Sequence, residues 1–99
     1  VKGAGFERIV CIDAGHPALA GHFPGRPVVP GVLLLEQVAS ALHAWRGQRL
    51  TLVREAKFMV PLLPGQTAVL RLTQADARTG FEIHRGDDLL ARGLVEGTA

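Results

Sequence analysis

Between Thr67 and Thr73 the chain alternates without a break, with Thr67, Val69, Arg71 and Thr73 on one side and Ala68, Leu70 and Leu72 on the other. A period of two with one apolar face predicts a half-buried strand. Residues 32–46 follow a different rule. They include Val32, Leu33, Leu34, Leu35, Val38, Ala39, Ala41 and Leu42, contain neither Gly nor Pro, and stop at Gly47. This predicts a helix of about 15 residues, roughly 22 Å long, with a glycine at its C′ position. Its first turns are apolar on almost every side, as in a helix wrapped by protein all round. Residues 6–13 (FERIVCID) mix β-branched and polar residues and predict a first strand, with Cys11 a small buried hydrophobe inside it. Residues 49–61 predict a long, bulged strand, 81–84 a short one and 89–95 the last, with turns at 63–65, 76–80 and 85–88. Arg85-Gly86-Asp87 reads as hairpin chemistry rather than as an adhesion motif.

The stretch before the helix has no periodicity. Residues 15–30 hold seven Gly and Pro residues, too many for regular structure. Pro24, Pro27 and Pro30 each fix φ, lack a donor and push the preceding residue to extended geometry, so the helix waits until Pro30-Gly31 has passed. A loop of this length in a small domain is usually functional. One long helix among antiparallel strands is an α+β pattern. Four or five strands can curl around one side of such a helix. The remaining apolar surface calls for a partner with a second helix and sheet, so a dimer is expected from composition.

Ninety-nine residues form one domain, residues 1–99, and a hydrophobic content of 47% supports a core. A net charge of +2 is too weak to argue for nucleic acid, though it suits an acidic protein partner. Arg46, Arg49, Arg54 and Lys57 cluster in sequence after the helix and are the docking candidates. The single Cys11 has no internal disulfide partner, no apolar run approaches the roughly 20 residues of a membrane span, and no signal-peptide pattern stands out. The expectation is a cytoplasmic protein that binds neither membrane nor nucleic acid.

Two residues stand out chemically. Glu36 lies in the second helical turn among leucines, where a carboxylate is costly unless paired, neutralised or used. His22 sits in the Gly/Pro loop that leads into the helix N-terminus, where the first N–H groups lack intrahelical partners and favour negative charge. Gly31 there permits close approach to the backbone. Of the other histidines, His43 falls on the same helical face as Glu36, His16 lies in the loop and His84 beside a hairpin. One Cys and four scattered histidines offer no metal-ligand spacing, and neither metal nor cofactor is expected.

The stretch GHFPGRPVVPGVLLLE, with His22, Phe23, Pro24, Pro27, Pro30, Gly31 and Glu36 at fixed offsets, resembles the signature of the β-hydroxyacyl-acyl carrier protein dehydratases of FabA/FabZ type. A weaker echo, KFMVPLLPG at 57–65, is similar to the family's strand motif. The resemblance covers nearly the whole chain. It implies the hotdog fold, in which a curved antiparallel sheet wraps a long central helix, doubled in a homodimer. It also implies dehydration of 3-hydroxyacyl thioesters, carried by acyl carrier protein, to trans-2-enoyl thioesters. His22 then corresponds to the base and Glu36 to the acid or water-orienting group, contributed by opposite protomers. Phe23, Pro30, Gly31 and Val32 become the substrate-binding residues, and an apolar setting around Glu36 would favour its protonated form.

Two features depart from the family. Many relatives carry Gln four residues after the acidic group, where this chain has Ser40, so a bond that holds the carboxylate is expected to be lost or water-mediated. Housekeeping members carry a segment before the first strand, whereas this chain begins almost at the strand and is similar to short relatives serving specialised acyl or polyene pathways. The alternatives are a hotdog thioesterase, in which a carboxylate activates water, and a non-catalytic subunit that binds acyl chains or scaffolds a complex.

Overall fold

The computed structural model describes residues 5–19 and 28–99. Five strands form one antiparallel sheet: β1 (Gly5–Val10), β2 (Arg49–Phe58), β3 (Ala68–Ala75), β4 (Arg78–Arg85) and β5 (Asp88–Thr98). A short 3-10 turn (Pro17–Leu19) follows β1, and the helix α1 (Gly31–Arg46) precedes β2. The strand order is β1-β3-β4-β5-β2. The chain therefore starts at one edge, passes through α1 to the opposite edge, and fills the middle with the β3–β4–β5 meander.

The α+β expectation holds, and the core follows from the alternation. Leu70 and Leu72 of β3, Phe81 and Ile83 of β4, and Ala91 and Val95 of β5 point to one face and are buried with Leu34, Val38, Ala41 and Leu42 of α1. The helix ends as expected: Gly47 takes the left-handed conformation at φ 66° and its N–H donates to His43 O at 2.8 Å. Near the C-terminal end of the helix, Phe6 stacks on Trp45 with ring centroids 6.4 Å apart, both packed against this core.

The strand β2 is bulged, with register shifts between Leu50 and Leu52 and between Val53 and Glu55. Each bulge inserts one residue, so the side chains packed against the core are Leu50, Val53 and Ala56, a spacing of three instead of two. The strand stops at Phe58, three residues short of the expected end, because Pro61 and Pro64 beyond it carry no N–H for a ladder.

Three other expectations need correction. The turn expected at 76–80 is only Asp76-Ala77: Ala75 pairs with Arg78, Asp76 takes φ 57°, and Thr79 and Gly80 are already in β4. Thr79, a polar residue that suggests a turn, is 4% exposed on the core side of the sheet. The last strand runs on to Thr98, because its partner β2 continues alongside as far as Arg49. Cys11 lies just beyond the end of β1 and is exposed rather than buried, while Ile12 after it takes the core position.

Gly93 shows how tightly the sheet closes on its core. A Cβ there would stand 2.1 Å from Glu55 O and 2.5 Å from the Phe81 ring. The glycine lets β2 and β5 approach while Phe81 fills the space beneath. Gly93→Ala must displace backbone as well as a side chain, and overpacking of this kind costs about 1–3 kcal/mol. Urea unfolding monitored by circular dichroism should show that loss as a lower midpoint with an unchanged slope.

Candidate active site

Only one side of α1 is covered. Leu33, Leu34, Val38, Ala41 and Leu42 are buried, whereas Val32 (61% exposed), Glu36, Ser40 and His43 are exposed. The five strands reach around one side of the helix, as the sequence suggested, and the cover expected for its other side is not supplied by the described residues. Glu36 stands in the middle of the open face, exposed, and has no hydrogen bond or ion pair with any described residue. The apolar setting expected around its carboxyl is not supplied by the described residues.

Ser40, one turn further on, accepts a hydrogen bond from Arg8 Nη1 at 2.9 Å. Arg8 also lies over the Phe6 ring, 5.8 Å from its centroid. Where the family's Gln would lean toward the carboxylate, the shorter serine is tied to β1 instead. His43 shares the open face with Glu36. His16 lies at the 3-10 turn, and His84 Nε2 meets Glu82 Oε1 at 2.8 Å.

The helix begins without a side-chain cap. Pro30 occupies the N-cap position with extended geometry (φ −60°, ψ 145°), and the first turn holds no acidic residue. Leu33 N already donates to Pro30 O at 3.0 Å. The N–H groups of Gly31 and Val32 have no partner among the described residues, which suits them to an anionic oxygen. Gly31 is needed here for a second reason: a Cβ would stand 3.0 Å from the Phe58 ring, which flanks the helix entry and is 48% exposed. The space opened by the missing side chain is thus partly taken by Phe58.

Beside this helix start lies a groove of about 320 Å³, lined by Val29, Gly31, Leu34, Phe58, Val60 and Leu62 among others. Its lining is largely apolar, as a site for an aliphatic chain requires. Of the sequence-predicted binding residues, Gly31 lines the groove, Val32 turns outward onto the Glu36 face, and Pro30 caps the helix. His22 and Phe23 lie outside the described residues. The groove and Glu36 are not brought together. At about 100° per residue, Glu36 is roughly 160° around the helix from Leu34.

Phe58, Met59 and Val60 were not among the predicted binding residues, although they contribute much of this wall. The signal was their position: an apolar run that continues past the end of a strand toward Pro61 and remains exposed. The expected docking residues do not form one patch either. Arg46 lies over the Trp45 ring at 4.2 Å. Arg54 Nε meets Glu96 Oε2 at 2.5 Å, and this bond, with Arg78 at 3.1 Å, holds the Glu96 carboxyl below its usual range. Arg49 and Lys57 stand at opposite ends of β2, roughly 25 Å apart at strand spacing. Lys57 lies opposite Arg92 of β5, and neither residue lines the groove.

Comparison with known proteins gives these observations a family. The chain is 34% identical over 95 residues to the 3-hydroxyacyl-[acyl-carrier-protein] dehydratase FabZ of Haemophilus influenzae, with 86% of this chain and 64% of the relative covered. It thus spans less than two thirds of the length of that relative. The FabZ of Klebsiella pneumoniae is 30% identical over 100 residues, covering 85% of this chain and 63% of the relative. Among solved structures, the dehydratase heterocomplex ApeI:P from Xenorhabdus doucetiae superposes with a TM-score of 0.85 at 22% identity, covering 98% of this chain and 89% of the other. A 1,4-dihydroxy-2-naphthoyl-CoA thioesterase from Synechocystis superposes at 0.67 with 23% identity, covering 93% of this chain and 79% of the other. At these identities the structures establish the hotdog fold and nothing finer. The profile of the ApeI-like family, described as ApeI dehydratase, matches residues 3–94. With that match spanning nearly all of its 99 residues, the chain belongs to the ApeI-like dehydratase family.

Proposed function

We propose that this protein dehydrates 3-hydroxyacyl thioesters, delivered by acyl carrier protein in the cytoplasm, to trans-2-enoyl thioesters in fatty-acid or polyene-type biosynthesis. Family membership supports the reaction. The observation that supports the site is Glu36, without a partner among the described residues at the centre of an open helix face. A carboxylate in that place, flanked by Val32 and Ala39, has no structural task among the described residues. A second copy laid over this face would bury it and bring another chain's loop to it. The thioesterase neighbour shares the fold alone, and fold does not choose the reaction.

In this reading His22 of one protomer removes the α-proton of the substrate. The electron pair moves onto the thioester oxygen, where the N–H groups of Gly31 and Val32 stabilise the enolate, since histidine alone is too weak a base for that carbon acid. The pair then returns to form the α,β double bond as the β C–O bond breaks. Glu36 of the other protomer gives its proton to the departing hydroxyl, directly or through a water, so one water leaves. The proton on His22 passes back to the Glu36 carboxylate through solvent, which resets both groups. The acyl chain lies in the groove beside Gly31. Among the basic residues after the helix, Lys57, next in sequence to Phe58 of the groove wall, is the candidate to receive an acidic carrier.

A crotonyl thioester mixed with the pure protein should lose its enoyl absorbance reversibly. Release of free thiol would instead identify a hydrolase, and the absence of both reactions a binding subunit. Glu36→Gln keeps size and polarity on an exposed face, so the variant should fold while turnover falls by 10²-fold or more. Near-normal turnover would remove Glu36 from the mechanism.

Charge reversal of Lys57 to Glu should raise KM for a carrier-bound substrate and leave that for a small thioester mimic unchanged. Equal effects on both substrates would count against docking there.

The shared site makes a quantitative prediction. Homodimers of His22→Ala and of Glu36→Ala should each be nearly inactive. Co-refolding equal amounts makes about half the dimers mixed, each with one complete site of two, so about a quarter of wild-type activity should return. No recovery, with dimers confirmed by light scattering, would mean that each site is built within one chain.

A further inference from the structure

The segment between β2 and β3, residues 59–67, forms one wall of the groove and has an unusual backbone problem. Pro61 and Pro64 interrupt it, so it cannot join a ladder, and its remaining polar groups need partners elsewhere. Part of the solution is backbone. Met59 N and Val60 N both donate to Leu90 O at 2.8 and 3.2 Å, Val29 N donates to Leu62 O at 2.8 Å, and Gly65 N donates to Ile12 O at 2.8 Å.

The rest falls to two side chains. Gln66 Oε1 accepts from Leu63 N at 3.0 Å and from Arg85 Nη1 at 2.8 Å. The same Arg85 nitrogen also donates to Pro61 O at 3.2 Å, and the other, Nη2, lies 3.5 Å from Asp88 Oδ2. This node closes the segment onto the sheet from the side away from the groove. The bond between Val29 and Leu62 then links the segment to the residues just ahead of the helix start. Neither Arg85 nor Gln66 lines the groove.

We infer that Arg85 and Gln66 are positioning residues for the acyl chain: their hydrogen-bond node holds the wall formed by Val60 and Leu62 at a fixed distance from Val29 and Gly31, and so sets the acyl length that the groove accepts. The inference rests on the groove being the acyl site of the proposed reaction. A wall held on one side by the Val29–Leu62 bond and on the other by this node has little freedom to widen. Without the node, Pro61 O and Leu63 N–H lose their partners and must turn to water, which pulls the wall outward.

The test compares the wild type with Gln66→Leu, Gln66→Glu and Arg85→Lys, using 3-hydroxyacyl pantetheine thioesters of increasing chain length for turnover. The matching acyl pantetheine amides, which cannot react, give dissociation constants by calorimetry. In the wild type, affinity should rise about fourfold for each methylene the groove encloses and then level off at its limit. Gln66→Leu removes the shared acceptor and should flatten that rise to about twofold per methylene and blur the limit, with the loss in KM growing with chain length. Gln66→Glu keeps an oxygen for both donors and should restore the wild-type profile. Arg85→Lys cannot reach both acceptors at once, should behave like Gln66→Leu, and carries the test if the leucine variant does not fold.

A profile unchanged in both disrupting variants, or a loss uniform across all lengths, would overturn the proposal. So would a glutamate variant that behaves like the leucine one, or wild-type affinity independent of chain length. If the wild type binds the amides by length but turns over no thioester, the dehydratase reading fails alone, and the dissociation constants still decide the role of the node.

Discussion

A helix with apolar residues over most of its circumference meets a sheet that reaches around only one side of it. The rest of the molecule depends on that mismatch. The covered side holds Leu34, Val38, Ala41 and Leu42 against the meander and provides most of the core. The uncovered side leaves Val32 and Glu36 in solvent on a single chain. Burying the covered stripe fixes the helix axis over the sheet, and fixing the axis decides where Glu36 and the helix N-terminus point. Core and candidate site are therefore the two faces of one element, and a change to either face is felt by the other.

Much of the fold could be read from the chain. The alternation around Leu70 and Leu72, the unbroken stretch from Val32 to Arg46 and the glycine that stops it all report local chemistry that the tertiary structure leaves intact. Other features depend on neighbours distant in sequence. Thr79 looks like a turn residue until Val95 is known to lie beside it. Cys11 looks like core until Ile12 takes that role. The spacing of three along β2 is unreadable without β5, since the bulges exist only relative to a partner.

The site was legible to a different degree. Glu36 was recognisable as anomalous from its leucine neighbours, yet its exposure could not be foreseen, because periodicity reports which faces are apolar and not which are covered. The Arg8–Ser40 bond joins residues 32 apart, and the Arg85–Gln66 bond residues 19 apart. No local pattern marks either pair. Arg85 in particular reads as half of a hairpin, which it is, paired with Asp88 across Gly86 and Asp87. Its second task appears only once the proline-broken segment is seen lying against it.

The double bulge in β2 also bears on solubility. A sheet with open edges on both sides is able to recruit further copies without limit, one strand after another, into a fibre. Here β2, hydrogen-bonded only to β5 among the described residues, is broken at two points, so it offers an incoming strand short runs of regular donors and acceptors in place of a continuous one. The opposite edge, β1, is six residues long and carries Glu7 and Arg8. Association through either edge is thus limited to a surface that matches its irregularities. The same inserted residues that set the core spacing restrain the chain from polymerising.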